Sequence, residues 1–262
     1  MKVKSQDSAV KKQREEQAQR VLDEFGDVLS DCRLLCFFDD EDCQEFKVIM
    51  GRANRGFLRT ITDSTSFVSW PEYITDVVGD PASFGFKPLF GHVIYLYGST
   101  CANRVGMTMT FAHELQHVVQ SIQMRELLNA NNLFRELPEK LIQSVGLRWS
   151  DIPTEREARA VAKKIAVTLH GSEAVKEFLA QRAAQASITA DPIELADVGF
   201  IQELDTSMLY DLRHETLALF GRFKNHRSEF EAVIEWLKSG PDFEPVDLDS
   251  FMPRLDGGPP RI

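Results

Sequence analysis

The stretch Phe111-Ala112-His113-Glu114-Leu115-Gln116-His117-Val118-Val119 contains the pattern His-Glu-x-x-His, and Glu114 is its only charged residue. Residues four apart lie on the same face of an α-helix, so His113 and His117 can both turn a ring nitrogen toward one point. Two imidazoles at this spacing can bind a zinc ion, and Glu114 beside them can take a proton from a water molecule activated by the metal. The stretch therefore predicts a helix that carries a metal site.

The helix predicted around this motif has two unlike faces. At about 100° per residue, an apolar stripe forms from Phe111, Leu115, Val118, Val119 and Ile122. The opposite face holds the two histidines among small or polar side chains, namely Gly106, Thr110 and Ser121. We expect the stripe to face the core and the histidine face to leave room for an ion and a substrate. A coincidental motif on an ordinary amphipathic helix is the alternative interpretation.

A catalytic zinc site needs a third protein ligand and keeps its fourth position for water. The longer motif that adds a third histidine is absent, because Gln120 and Gln123 occupy its glycine and histidine positions. The third ligand is therefore expected on a separate element. The best candidate is a second predicted helix that starts near Thr154, where the carboxylates of Glu155 and Glu157 compete.

Helix facing and capping favour Glu155 over Glu157. Glu155 shares a face with a stripe of small residues that would let the second helix approach the first closely: Ala158, Ala162, Ala166 and Leu169. Glu157 points elsewhere, and with Thr154 it fits a capping box, in which the glutamate folds back onto the helix start. If Pro153 lies inside the helix instead, Glu155 is held more firmly. We predict Glu155 as the third ligand and keep Glu157 as the alternative.

These residues resemble the zinc metallopeptidases called zincins, and among them the gluzincins, in which the third ligand is a glutamate on a following helix. The resemblance covers roughly residues 90–170. It implies His113, His117 and Glu155 as ligands of Zn²⁺ and Glu114 as the general base. It also implies that the strand before the motif helix is a sheet edge that pairs with an extended peptide substrate. The commonest gluzincin pattern has an aspartate at the position of Arg159. The resemblance therefore does not identify the groups that orient the two histidines in this chain.

The order of the predicted elements indicates an α+β fold, with a small mixed or antiparallel sheet in the N-terminal half packed on a helical C-terminal half. The dense apolar run at 92–97 predicts a strand, and 34–38 predicts a second. Shorter strand candidates lie at 46–50, 56–61 and 66–70. Helices are expected near 104–129, 134–146, 152–170, 172–187, 205–222 and 225–239, with Gly171 as a stop.

Composition divides the chain into three segments. Residues 1–30 predict an amphipathic helix or extension, 31–240 a zincin-like metallopeptidase domain, and 241–262 a proline-rich extended tail. The acidic residues between Asp23 and Cys43 lack the spacing and central glycine of a calcium loop, so a solvated loop is expected. No Cys-x-x-Cys pair occurs, so we expect ordinary reduced thiols rather than a second metal site.

Charge and hydropathy exclude several classes of function. The net charge of −10 in 262 residues argues against nucleic-acid binding. No apolar run reaches the roughly 18 residues of a membrane span, and the polar start lacks the core of a signal peptide. These features predict a cytoplasmic protein, with export by a signal-independent route left open. The expected partners are a peptide or protein substrate and a protein bound through the terminal segments.

The leading hypothesis is a zinc-dependent metallopeptidase that hydrolyses peptide bonds through a metal-activated water, with Glu114 as general base. The alternative is a catalytically silent zincin-fold protein that acts as a binding or regulatory module. A helical adaptor with an incidental motif is a third class. Tyr210, Arg213 and His214 are candidates for stabilising an oxyanion, although an ordinary structural role is favoured for each.

Overall fold

The computed structural model describes residues 2–30, 32–38, 65–69, 91–96, 100–137, 139–147, 151–185, 206–224 and 230–239. The helices are α1 (Lys2–Phe25), α2 (Arg104–Gln123), α3 (Arg125–Asn132), α4 (Glu139–Ser144), α5 (Pro153–His170), α6 (Ser172–Gln185), α7 (Thr206–Phe220) and α8 (Glu231–Lys238). The strands are β1 (Arg33–Phe37), β2 (Thr65–Ser69) and β3 (Gly91–Leu96). Single turns of 3-10 helix cover Gly26–Leu29, Thr100–Ala102 and Leu133–Glu136.

The predicted α+β fold is wrong, because the described part of the chain is mostly helical. The three strands are only five or six residues long. They lie in the order β1-β3-β2, with β3 parallel to β1 and antiparallel to β2. The physical reason is that helices supply most of the buried apolar surface. Among the described strand side chains, Ile94 and Leu96 are the fully buried members of the core.

Two of the predicted helices are interrupted. The helix expected over 104–129 ends at Gln123, and α3 starts after Met124, whose φ of −143° and ψ of 45° are not helical. No glycine or proline marks this break in the sequence. The helix expected over 134–146 is interrupted at Leu137, which is extended with φ −69° and ψ 143°. A following proline disfavours the helical conformation, and residue 138 is Pro138.

The other predicted helices, at 5–30, 152–170, 172–187, 205–222 and 225–239, correspond to α1, α5, α6, α7 and α8 with shifted bounds. Gly171 follows α5 with φ 84°, a conformation that glycine adopts without steric cost. Several predictions fall outside the described residues: the acidic residues at 39–42, the strand candidates at 46–50 and 56–61, Cys43, and the extended tail at 241–262.

The chain divides into two compact units. The first unit consists of residues 1–119 and 160–201, and the second of residues 120–159 and 202–262. The segment limits predicted at residues 30 and 240 are not tested by this division and stay predictions.

The core of the first unit is built from α1, α2, α5 and α6 around β3. Its largest fully buried side chains are Phe111, Leu115, Ile94, Leu96 and Leu179. Phe38 packs edge-on against Phe111, with ring centroids 5.4 Å apart, which is a preferred geometry for aromatic pairs. The apolar stripe of α2 therefore faces this core.

Three polar side chains form a cluster inside the first unit. Gln17 Nε2 donates to Thr108 Oγ1 at 2.7 Å. His170 Nε2 lies 2.9 Å from Thr108 Oγ1 and 3.3 Å from Gln17 Nε2. An amide nitrogen can only donate, so His170 Nε2 accepts, and the ring is assigned as neutral on that ground. The cluster ties α1, α2 and the end of α5 together.

The core of the second unit centres on four phenylalanines. The rings of Phe134, Phe220, Phe223 and Phe230 contact one another with centroids 4.5 to 5.9 Å apart. Away from this group, Asn131 Nδ2 donates to Thr216 Oγ1 at 2.9 Å, and both side chains are buried. The second unit thus has its own apolar core and its own buried polar contact.

We predict that Gly106→Ala destabilises the protein by about 1 kcal/mol, because a Cβ at this position would lie 2.8 Å from Cζ of Phe178. Alanine is otherwise favoured over glycine inside a helix by roughly 1 kcal/mol. In a Phe178→Leu background the same substitution should therefore become neutral or stabilising. Urea unfolding of the four variants measures this change of sign. Equal effects in both backgrounds would show that the Phe178 ring moves aside freely.

We predict that the unfolding free energy falls as the pH is lowered through 6.5. Burial, with the charges of Arg20 and Arg104, holds the pKa of His170 below its ordinary value of 6.5. The unfolded chain therefore binds this proton at a higher pH than the native protein does, so stability is lost below pH 6.5. His170→Gln should reduce the slope of unfolding free energy between pH 7.5 and 5.5. His214→Gln is the matched control, because His214 is exposed. An unchanged slope in His170→Gln contradicts the assignment.

Candidate metal centre

The two motif histidines lie one turn apart on α2 with their rings turned toward each other. His113 Nε2 and His117 Nε2 are 3.1 Å apart, and the ring planes meet at 89°. Zinc–nitrogen bonds of about 2.0–2.1 Å in a tetrahedral site put two ligand nitrogens roughly 3.3 Å apart. The observed spacing suits two ligands of one ion. A hydrogen bond between two neutral rings would give a similar distance, so a third ligand has to separate these readings.

Glu155 provides that third group. The potential ligand atoms of His113, His117 and Glu155 all lie within 4.8 Å of one another, and Glu155 and His117 are buried. Two imidazoles and one carboxylate form a donor set known from catalytic zinc sites. Among the described residues this group is the one suited to a metal ion.

Glu157 has a different contact from the one predicted. Its Oε2 accepts a hydrogen bond from Gln120 Nε2 at 2.6 Å. The predicted capping box with Thr154 is wrong, because α5 starts at Pro153 and the backbone N–H of Arg156 bonds to Ile152 O. Pro153 therefore occupies the first helical position, where a missing N–H costs nothing. Glu155 is the third residue of this helix and lies in its first turn.

The sequence did not predict the role of Gln120, which was named only because it occupies the glycine position of the longer motif. Its Nε2 donates both to Glu157 and, at 2.9 Å, to the backbone carbonyl of Thr154. Its position three residues after His117 on a helix was the available signal. Nothing in the sequence names its partners, because they lie 34 and 37 residues away along the chain.

Glu114, the predicted general base, is buried with 7% of its surface exposed. In the part of the chain that the structure describes, its carboxylate is not engaged in a hydrogen bond or an ion pair. An unengaged carboxylate beside His113 can accept a proton from a water molecule near the ligand group. The structure thus keeps Glu114 separate from the three ligand candidates.

The histidine face of α2 is more enclosed than predicted. The ring of Phe178 lies over Gly106, and Gln116 and Gln120 are fully buried. Ile122, assigned to the core stripe, is instead 50% exposed. The predicted core face is confirmed for Phe111, Leu115, Val118 and Val119, which are buried. The opposite face is only partly enclosed, because Thr110 and His113 keep intermediate exposure.

The strand expected to bind substrate is not a sheet edge. β3 pairs with β1 along 33–37 and with β2 along 65–69. Both rows of its backbone N–H and C=O groups are therefore directed at neighbouring strands, and an extended peptide cannot add to it. This expectation from the resemblance is corrected: among the described strands, β1 and β2 are the outer ones.

The candidates for stabilising an oxyanion lie on α7, which spans Thr206–Phe220. Arg213 and His214 lie on α7, where His214 is exposed and burial lowers the pKa of Arg213. The side chain of Tyr210 lies outside the described part of the protein. Their proposed role toward an oxyanion stays a prediction.

The described cysteines are thiols without a disulfide. Burial raises the pKa of Cys36 to about 12, with Cys32 nearby adding to the shift. Burial also raises the pKa of Cys32. Metal ligation and nucleophilic attack both use the thiolate form, so neither side chain is set up for such chemistry.

Comparison with known protein-family models, with curated proteins and with solved structures gives no match. Within the described ranges, no helix combines the length and the apolar character that crossing a membrane requires.

We predict that the protein freed of metal binds one zinc ion per chain and gains thermal stability from it, because a ligand of the native state raises the unfolding midpoint. His113→Ala and Glu155→Ala should each weaken zinc binding by more than the roughly 10–100-fold that follows loss of an outer partner. Competition with a chromogenic chelator measures the affinity, with His214→Ala as the control. Unchanged zinc binding in His113→Ala would exclude this site.

Proposed function

We propose that this protein is a zinc-dependent metallopeptidase. The observation that carries the proposal is the grouping of His113, His117 and Glu155, with the buried Glu114 next to His113 in the chain. Two neutral imidazoles and one carboxylate leave a bound Zn²⁺ with a net positive charge, which suits activation of a carbonyl and a water. The same groups support a hydrolase whose metal ion is held by three protein side chains.

The bound zinc ion would act as a Lewis acid, polarising the scissile carbonyl and lowering the pKa of a water molecule to about 7. The protein's own part is positioning and proton transfer. Glu114 accepts the proton of the attacking water and delivers it to the leaving amine, so one carboxylate serves both halves of the reaction. Its burial keeps it largely away from bulk solvent.

Peptide hydrolysis is favoured over phosphate-ester hydrolysis by the number of candidate metal positions. Many phosphatases and nucleases hold two metal ions about 3.5–4 Å apart. In the described ranges, one group of ligating residues is found, and it has three members. A single ion with an adjacent glutamate matches the requirements of amide hydrolysis, in which an amine rather than a phosphate oxygen leaves.

A second function is favoured by the sheet. Because β3 pairs on both sides, the backbone-pairing mode of substrate binding is closed at that strand. Without it, a zinc protein can act as a catalytically silent binding or regulatory module. The two functions differ in turnover and agree in zinc binding, so a catalytic measurement separates them.

We predict that Glu114→Gln retains zinc and lowers peptide hydrolysis by about 10²–10⁴-fold, the range typical of a general acid–base catalyst. The amide has nearly the same shape as the carboxylate but cannot accept the proton. A library of quenched fluorescent peptides supplies the substrate, and Glu126→Gln on α3 is the control. Full activity in Glu114→Gln would refute the general-base assignment. Zinc binding without turnover by the wild-type protein would favour the regulatory function.

A further inference from the structure

We propose that Gln120 is a positioning residue that holds Glu155 in place for the metal. This inference rests on the proposed zinc site. Both protons of the Gln120 amide are used: one bonds to Thr154 O at 2.9 Å and the other to Glu157 Oε2 at 2.6 Å. All three residues are buried, so water does not compete for these bonds.

The two acceptors bracket Glu155. Thr154 O belongs to the peptide bond that joins Thr154 to Glu155, and Glu157 follows two residues later. The first turn of a helix has backbone N–H groups without intrahelical partners and tends to fray. Fixing a carbonyl before Glu155 and a side chain after it restricts the backbone that carries the ligand. Glu155 can then present its carboxylate without first ordering its turn.

Gln120 is tied to the histidines by the helix itself. It follows His117 by three residues on α2, which is a rise of about 4.5 Å along a helix axis. Because an α-helix has a regular rise and rotation per residue, the position of Gln120 relative to the histidines is fixed over this distance. The hydrogen bonds of the Gln120 amide therefore connect the start of α5 to the helix that carries His113 and His117.

The two hydrogen bonds from residue 120 to Thr154 O and Glu157 Oε2 require a glutamine. Two acceptor oxygens need two donor hydrogens from one group, and a primary amide supplies both without adding charge. A glutamate at this position would face a carboxylate and a carbonyl oxygen. Asparagine offers the same amide on a side chain one methylene shorter, so it cannot reach both acceptors from the same backbone position.

A further contact on this turn is more exposed. Arg156 forms an ion pair with Glu215, but the two side chains are 43% and 41% exposed, and exposed ion pairs contribute little. The buried amide is therefore a stronger constraint on the first turn of α5 than this ion pair. The contact also assigns a structural role to Glu157 and leaves Glu155 as the ligand.

The test measures zinc affinity by chelator competition and the visible spectrum of the Co²⁺-substituted protein. Gln120→Ala should bind zinc about 10–100-fold more weakly, as expected when a partner that orients a ligand is lost. Its cobalt spectrum should change, because Glu155 no longer holds one geometry. Thr216→Val is the matched control: it removes a buried side-chain hydrogen bond elsewhere in the second unit and should lower stability without changing either readout.

Glu157 variants keep the test decisive if Gln120→Ala folds poorly. Glu157→Gln retains an acceptor oxygen for the Gln120 amide and should keep most of the zinc affinity, whereas Glu157→Ala should resemble Gln120→Ala. If Glu157 were itself the ligand, Glu157→Gln would lose zinc as severely as Glu157→Ala.

The outcomes separate this inference from the proposed function. Wild-type zinc binding with unchanged affinity and an unchanged cobalt spectrum in Gln120→Ala would overturn the positioning role and leave the metal site standing. A wild-type protein that binds no zinc would overturn both. Affinity is measured without turnover, so a catalytically silent protein still gives a result.

Discussion

The packing of α2 against α5 is the constraint on which the structure depends. Thr108 near the start of α2 contacts His170 at the end of α5, and Gln120 near the end of α2 contacts Thr154 at the start of α5. The two helices therefore run antiparallel, with a polar contact toward each end. Between these contacts, the alanine stripe of α5 is buried at Ala158, Ala162 and Ala166. Small side chains on a helix permit close approach of a neighbouring element.

Two of the three candidate ligands, His117 and Glu155, are buried as well as close to the third. His117, Glu155 and Glu157 are all withdrawn from solvent, and buried polar groups need partners to offset their lost hydration. Gln120 supplies such a partner to Glu157, and His117 Nε2 lies 3.1 Å from His113 Nε2. The same contacts that offset burial also fix orientation. Stability and preorganisation of the site therefore depend on shared hydrogen bonds.

The candidate metal ligands and the strand predicted to bind substrate lie on different secondary-structure elements. The ligand group lies on helices, whereas the strand predicted to bind substrate lies inside a three-stranded sheet. The apolar run at 92–97 predicts a strand from β-branched and aromatic content, but neither property distinguishes an edge strand from a central one. Pairing on two sides is decided by β1 and β2. The registered pair Cys36–Ile94 is separated by 58 residues (94 − 36) and the pair Val68–Val93 by 25 (93 − 68).

The sequence by itself determined the local features of the site: a helix at the motif, two histidines on one face, and Gly171 after the second helix. These follow from helix periodicity and from backbone sterics, which act over a few residues. The tertiary structure decided the break at Met124, the burial of Gln116 and Gln120 on α2, and the hydrogen bond between Gln120 and Glu157. Each depends on partners distant in the chain, such as Gln120 with Glu157, 37 residues apart. Periodicity places a side chain on a face, and only packing selects what that face meets.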